Sequence, residues 1–340
     1  MVHMGYGETW AKVILMGEHS VVYGYPAVAA PLPSLKMRAW VTPAGLCATS
    51  CIRTLKALNY EGSLSAAGDR FGGLECAVKV ATEFAGYPGL AFDVVTDSSF
   101  PAGRGMGSSA ASAGAVIRAI LDACDVRASE QEILRLTNEA EVITHGNPSG
   151  LDAVTTCSRD IVTFQSGQMQ YMRVDMPAYL VIADSGIAGS TREAVGNVRK
   201  ADEKNHPYVR SVMDELGELA LASETDLELG AVNMLGERMN RAHELLSQLD
   251  VSHPLVDHLV DVARNAGANG AKMTGGGLGG CLIAFAEDAD TAQNISRALL
   301  CEGACKAWIH SLSAKSNEQF DEELVEGRRY ELDNRSLVAA

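Results

Sequence analysis

No stretch of this sequence approaches the ~18 consecutive apolar residues of a membrane span, and the N-terminus lacks a basic start followed by an apolar run. The chain therefore reads as soluble, untargeted and cytoplasmic. Positive charge is scarce as well: 28 lysines and arginines stand against 43 aspartates and glutamates, a net charge of −15, and no basic stripe offsets it. Such a chain repels polyanions and anionic lipid, which excludes nucleic acid and membrane as partners. Cys-x-x-Cys pairs are missing too. The eight cysteines, at 47, 51, 76, 124, 157, 281, 301 and 305, are scattered. The spacings of Cys47 with Cys51 and of Cys301 with Cys305 would put two sulfurs on one helical face. No histidine clusters near either pair, so buried free thiols in a reducing compartment are expected rather than zinc.

What is present fits an ordinary globular protein, 47% hydrophobic and 21% charged, with 340 residues exceeding what one core usually supports. Two domains are expected, and the texture of the sequence changes near 175–180. The units are placed at 1–177 and 178–312, followed by a charged tail over 313–340. Val13 to Met16, Val21 to Tyr23, Lys36 to Val41, Phe92 to Thr96 and Tyr179 to Ala183 read as strands. Ser129-Glu130-Gln131-Glu132 is a capping-box signature, opening a helix with Ile133, Leu136, Ala140 and Ile143 on its apolar face and a stop at Gly146. Asn147 to Gly150 is a turn by composition. Residues 205–249 read as one long amphipathic helical stretch, with further helices near 254–266 and 290–300.

The most informative segment is Pro101-Ala102-Gly103-Arg104-Gly105-Met106-Gly107-Ser108-Ser109, three alternating glycines running into two hydroxyls and a small-residue helix. Glycines let backbone N–H groups turn inward, and a helix start adds unpaired donors and the positive end of its dipole, so the segment suits phosphate. It is not a Walker loop. No lysine precedes Ser108, so the neutralising charge must come from elsewhere. A second glycine stretch follows Lys272-Met273-Thr274, read as a turn. Its Gly275-x-Gly277-x-x-Gly280 spelling matches a dinucleotide fingerprint, but a strand follows where that fingerprint needs a helix. It is a turn whose backbone approaches either another segment or a ligand beside the first loop.

Phosphoryl transfer needs a positioned nucleotide, a divalent metal, a carboxylate at the attacking hydroxyl and a cation for developing charge. Lys12, Glu141 and Asp152 are the candidates, the two carboxylates flanking the Asn147–Gly150 turn. His19 reads first as a structural hydrogen-bonder. His243, His253 and His258 sit on helical faces without metal-ligand spacing and carry no assigned role.

Lys12 to Val28, the Pro101–Ala111 loop, His145–Asp152 and Lys272–Cys281, in that order, together resemble the GHMP kinases, most nearly the bacterial form of the branch that phosphorylates mevalonate. The resemblance implies an α+β fold with a ribosomal-protein-S5-like N-terminal domain and a ferredoxin-like C-terminal domain, with ATP and mevalonate in the cleft between them. It also implies that Pro101, Gly103, Arg104, Gly105, Met106, Gly107, Ser108 and Ser109 wrap the ATP phosphates, with Thr191 and Gly276 beside them. Ser109 and Glu141 would hold Mg²⁺. Asp152 would face the primary hydroxyl of mevalonate as base and Lys12 would stabilise the alkoxide, while Glu18 and His19 match residues at the substrate end. Arg192 is added from its position and from the bidentate geometry of arginine as a partner for the mevalonate carboxylate.

A homodimer is left open by the resemblance. Galactose is excluded, because His19-Ser20-Val21 lacks the sugar-binding aspartate, and relatives acting on phosphomevalonate tend to carry tyrosine at the position of His19. A sensor that kept the fold and lost catalysis would not need Lys12, Glu141, Asp152 and Ser109 together. Two departures from the family pattern stand out: Glu8-Thr9-Trp10-Ala11 precedes Lys12 in place of Pro-Gly, and Leu278 occupies a position that is glycine in many members.

Overall fold

The computed structural model describes residues 2–46, 48–55, 59–146 and 148–313. Cys47, Asn147 and all but the first residue of the expected tail lie outside these. The N-terminal unit is built on a seven-stranded sheet of β1 (Gly5–Met16), β2 (Ala27–Leu46), β3 (Cys51–Thr54), β4 (Glu61–Ser63), β5 (Leu90–Ser98), β6 (Ile161–Gln165) and β7 (Gln168–Met172). The spatial order is β4-β3-β5-β2-β6-β7, with β1 paired to β2. Helices α1 (Gly72–Phe84), α2 (Ser108–Ala123), α3 (Glu130–His145) and α4 (Leu151–Cys157) complete the unit.

The C-terminal unit runs β8 (Tyr179–Asp184), α5 (Thr191–Lys204), α6 (His206–Leu229), α7 (Val232–Gln248), α8 (Pro254–Asn265), β9 (Gly270–Thr274), β10 (Cys281–Ala286), α9 (Ala289–Cys301) and β11 (Lys306–Ser311). Its sheet order β11-β8-β10-β9, all antiparallel, is the split βαβ arrangement of ferredoxin-like domains. The expected α+β, two-domain architecture is therefore the one observed.

Several local readings need correction. Val13–Met16 and Lys36–Val41 are parts of strands of 12 and 20 residues. Val21–Tyr23 is no strand: Gly17 and His19 take left-handed φ of 98° and 61°, and the reversed chain closes a 3₁₀ turn over Ser20–Tyr23. The 205–249 stretch breaks into α6 and α7 at Gly230, whose φ is 65°. Lys272–Thr274 lies in β9 rather than in a turn. On α3, Ile143 is exposed, while Ile133, Leu136 and Ala140 are buried together with Thr137 and Glu141, because the last helical turn runs past the core. Neither cysteine pair shares a helix: Cys51 is in a strand, and Cys305 lies beyond the end of α9. His253 caps α8 instead of facing from it, its ring accepting from Leu255 N–H. The capping box at Ser129 and the stop at Gly146 are present as expected.

The centre of the N-terminal unit is α2. Alanine and glycine occupy so much of it that it is buried on nearly all sides rather than along one stripe. Contact with β1 requires glycine on the strand: a Cβ on Gly7 would sit 2.1 Å from the Ala115 carbonyl oxygen and 2.5 Å from the Ala119 nitrogen, both backbone atoms. This close seating fixes the first turn of α2, and with it the glycine loop, relative to Lys12 on the same strand. Gly7→Ala should force helix and strand apart and lower stability by about 2–3 kcal/mol, read as a fall in the urea midpoint. An unchanged midpoint would contradict this account of the contact.

Candidate active site

Four elements of the N-terminal unit converge. Lys12 comes from β1, Ser108 and Ser109 from the start of α2, Glu141 from α3, and Asp152 from the first turn of α4. Lys12 is 2% exposed, and its Nζ lies 2.7 Å from Asp152 Oδ1, whose side chain is 42% exposed. The cation is thus sealed in the protein while its partner opens outward. Two features of the sequence produce this. The register of β1 on β2 shifts between Trp10 and Ala11, just ahead of Lys12, where Pro33, Ser34 and Leu35 of β2 fall between the Trp10–Lys36 and Ala11–Leu32 pairs. Gly107, at φ 71°, leaves the space: a Cβ there would be 2.9 Å from Lys12 Cγ and from Thr156 Cγ2. Beneath the pair, Ile14, Ala27, Ala29, Leu151, Val154, Val162 and Phe164 form an apolar cluster that holds α4 to β1 and β2.

Ser109 donates to Glu141 Oε1 at 2.5 Å, and His145 Nε2 is 3.6 Å from Glu141 Oε2. Burial raises the Glu141 pKa, and the charge of Asp152 raises it further, against the opposing effects of Ser109, His145 and Lys12. A buried carboxylate and a hydroxyl beside a second carboxylate form a hard-oxygen set suited to Mg²⁺, which would also relieve Glu141 of its desolvation. Among the described residues no group of three or more His, Cys, Asp or Glu side chains is arranged to hold a metal ion by itself, so the remaining ligands of such an ion would be phosphate oxygens and water.

The glycine loop ends at α2 without a side-chain cap, leaving helix N–H donors for an anion. Met106 contributes backbone only: its side chain is in the core, and its carbonyl accepts from Lys12 N–H at 3.1 Å. Arg104 turns towards the C-terminal unit, with Nη2 donating to the Gly186 carbonyl at 2.9 Å and Nε 3.1 Å from Asp184 Oδ1. Beside Ala102, Ser108 and Ser109 a cavity of about 240 Å³ opens between Met37, Phe71, Leu74 and Ser98, and nothing in the periodicity of the sequence announced it. A larger hollow of about 1200 Å³ lies elsewhere, along Tyr6, Trp40, Arg118 and Tyr171, and includes neither Lys12 nor Asp152.

The second glycine stretch is packed on the first, so both alternatives left open for it draw on one geometry. A Cβ on Gly275 would meet Gly105 Cα at 2.9 Å, and Cys281 N–H donates to the Arg104 carbonyl at 3.2 Å. Leu278 takes a left-handed φ of 57°, a conformation that glycine adopts without strain. Thr191 opens α5 against Gly276, whose Cβ would fall 2.2 Å from Thr191 Oγ1. Arg192 is exposed beside it, without a side-chain partner among the described residues.

Sequence reasoning missed Lys272. Its ammonium is fully buried and bonded to the Glu18 carboxylate and to the Met273 carbonyl, joining the two units. The Glu18 carboxylate is therefore already engaged within the protein. The neighbouring Thr274 hydroxyl bonds both N and O of Ile14, at 2.9 and 3.1 Å. His19 Nε2 is 2.9 Å from the Gly276 carbonyl, which only accepts, so Nε2 carries the proton and Nδ1 is left as an acceptor. Burial lowers the His19 pKa to about 4, opposed by that hydrogen bond and reinforced by Lys272. An unfolded histidine gains its proton below pH ~6.5, whereas this ring stays neutral until about pH 4. His19 therefore costs the fold about 1.4 kcal/mol per pH unit as pH falls through that window. By NMR its ring resonances should not titrate above pH 5, and a midpoint between 6 and 7 would contradict the burial.

Family models described as GHMP kinases N terminal domain and GHMP kinases C terminal match residues 74–159 and 223–304. The chain is 32% identical over 297 residues to a mevalonate kinase of Thermococcus onnurineus, covering 82% of this chain and 88% of the relative. Among solved structures, mevalonate kinase from methicillin-resistant Staphylococcus aureus superimposes with a TM-score of 0.72 at 30% identity, covering 92% of this chain and 100% of that one. Leishmania (L. major) mevalonate kinase in complex with R-mevalonate gives 0.77 at 23% identity, covering 90% and 96%.

Proposed function

This chain belongs to the GHMP kinase family, and we propose that it transfers the γ-phosphoryl group of ATP to the primary hydroxyl of mevalonate, giving 5-phosphomevalonate and ADP. The observation that carries this reading is the Lys12–Asp152 contact of 2.7 Å beside the start of α2. A primary alcohol is a weak nucleophile at neutral pH. Asp152 orients it and accepts its proton as the new O–P bond forms and the bond to the ADP oxygen breaks, while the Lys12 ammonium offsets negative charge on the attacking oxygen.

The glycine-loop backbone and the α2 N-terminus take the triphosphate, with Thr191 and Gly276 on the opposite side. The cavity lined by Met37, Phe71 and Leu74 suits the nucleoside. Ser109 and Glu141 would hold Mg²⁺, which supplies neutralisation of phosphate charge when bound. At the substrate end, neutral His19 offers its Nδ1 lone pair to a substrate hydroxyl, and Glu18 acts through the turn that presents His19 rather than by touching substrate. Arg192 is free to meet the mevalonate carboxylate. The seven described cysteines are unpaired, though Cys51, Cys301 and Cys305 are exposed where buried thiols were expected; unpaired thiols support a reducing, cytoplasmic setting, and no described helix is long and apolar enough to cross a membrane.

Purified protein given Mg²⁺, ATP and mevalonate, phosphomevalonate, galactose or homoserine in turn should release ADP with mevalonate alone. Turnover with phosphomevalonate and none with mevalonate would overturn the assignment. Asp152→Asn should lower kcat by about 10²–10⁴-fold while ATP affinity changes little, as for a group acting on the transition state. Unchanged turnover would remove Asp152 from its role.

A further inference from the structure

We propose that Arg104 is a positioning residue, clamping the glycine loop to the C-terminal unit through Asp184, and that its guanidinium does not touch phosphate. The inference rests on the reading of Gly103–Ser109 as the site of the ATP phosphates and goes beyond it by assigning Arg104 to the protein side of that site.

Both the backbone and the side chain of Arg104 face the C-terminal unit. Its carbonyl accepts from Cys281 N–H at 3.2 Å, and that oxygen lies 2.9 Å from where a Cβ on Gly280 would be. Its Nη2 donates to the Gly186 carbonyl at 2.9 Å, and its Nε lies 3.1 Å from Asp184 Oδ1, an ion pair held by charge and proximity without hydrogen-bond alignment. Asp184 is a fixed target: it ends β8, pairs with Cys281 and Lys306 in the sheet, and accepts from Gly186 N–H at 2.9 Å. One residue earlier in the loop, the Gly103 carbonyl accepts from Gly189 N–H at 3.2 Å. The loop and the 184–191 segment leading to Thr191 thus form one body.

Electrostatics decides between this role and a phosphate contact. The Asp184 side chain is 6% exposed and that of Arg104 19%, so a guanidinium that swung away to a phosphate would leave a buried carboxylate without its cation. Pairing with Asp184 also cancels most of the attraction that a free arginine would offer the nucleotide. The clamp places the loop N–H donors; it supplies no charge to the phosphates.

The test compares Arg104→Gln, Asp184→Asn and the double variant, with melting temperature as a check on folding. Amide hydrogen exchange over 103–109 is measured without nucleotide, and affinity for the non-hydrolysable analogue AMP-PNP with Mg²⁺ by calorimetry, alongside kcat and KM. Asn at 184 keeps the acceptor for Gly186 N–H and removes only the charge.

A clamp predicts faster exchange in each variant and a loss of nucleotide affinity of about 10-fold in each single variant. The double variant should be no worse than either, with the effect falling on KM for ATP more than on kcat. If Asp184→Asn leaves affinity unchanged or improves it while Arg104→Gln loses affinity, Arg104 is a phosphate ligand and the proposal is wrong. Additive losses, or unchanged exchange over 103–109, would overturn it as well. If Arg104→Gln does not fold, exchange and affinity in Asp184→Asn alone decide. A wild-type protein that binds no AMP-PNP would sink the functional reading, whereas the exchange comparison would still judge the clamp.

Discussion

A lysine ammonium that is almost wholly buried needs a counter-charge, and the requirement that Lys12 meet Asp152 organises the N-terminal unit. A lone buried cation is strongly unfavourable, so the pair holds only where geometry is tight and the surroundings are rigid. The rigidity comes from β1 seated on α2 through glycine and from α4 pinned by the apolar cluster under its first turn. Gly107 leaves a gap through which the lysine stem passes, and the same residue ends the glycine loop. The glycine-loop backbone and the cation are therefore set by one packing arrangement and cannot drift independently.

The second unit is fastened to this centre by polar contacts that are buried and fully used. Lys272 with Glu18, Thr274 with Ile14 and His19 with the Gly276 carbonyl all lie along the β1–β9 seam, and the two glycine stretches meet back to back. A buried ion pair contributes little net stability compared with an apolar replacement, but it tolerates few alternative arrangements, which suits a boundary where two glycine loops are held against each other. The neutral state of His19 follows from the same burial and leaves one ring nitrogen as an acceptor.

Much of this was legible in the residues. The glycine loop, the capping box at Ser129, the end of α3 at Gly146 and the strand read over Tyr179–Ala183, one residue short of β8, follow from local chemistry that tertiary contacts do not override. The pairing of Lys12 with Asp152 was reached through the family resemblance, because nothing local links residues 140 positions apart. The burial of α2 on nearly all sides escapes a periodicity argument, since alanine gives no amphipathic signal. Lys272 was hidden for a different reason: a lysine beside a glycine-rich stretch looks like part of a loop, and only β9 pairing with β10 and docking on β1 turns it inward. The contact of Arg104 with Asp184 has no local signal either, because the two lie 80 positions apart in different units.

The central claim is that Lys12 and Asp152 sit where the phosphoryl group meets its acceptor. A crystal structure with AMP-PNP, Mg²⁺ and mevalonate measures this most directly. The γ-phosphorus should lie within about 3–3.5 Å of the primary hydroxyl oxygen of mevalonate, with that oxygen in hydrogen-bond reach of both Asp152 and Lys12. A triphosphate bound away from the α2 N-terminus, or a mevalonate hydroxyl out of reach of both side chains, would contradict it.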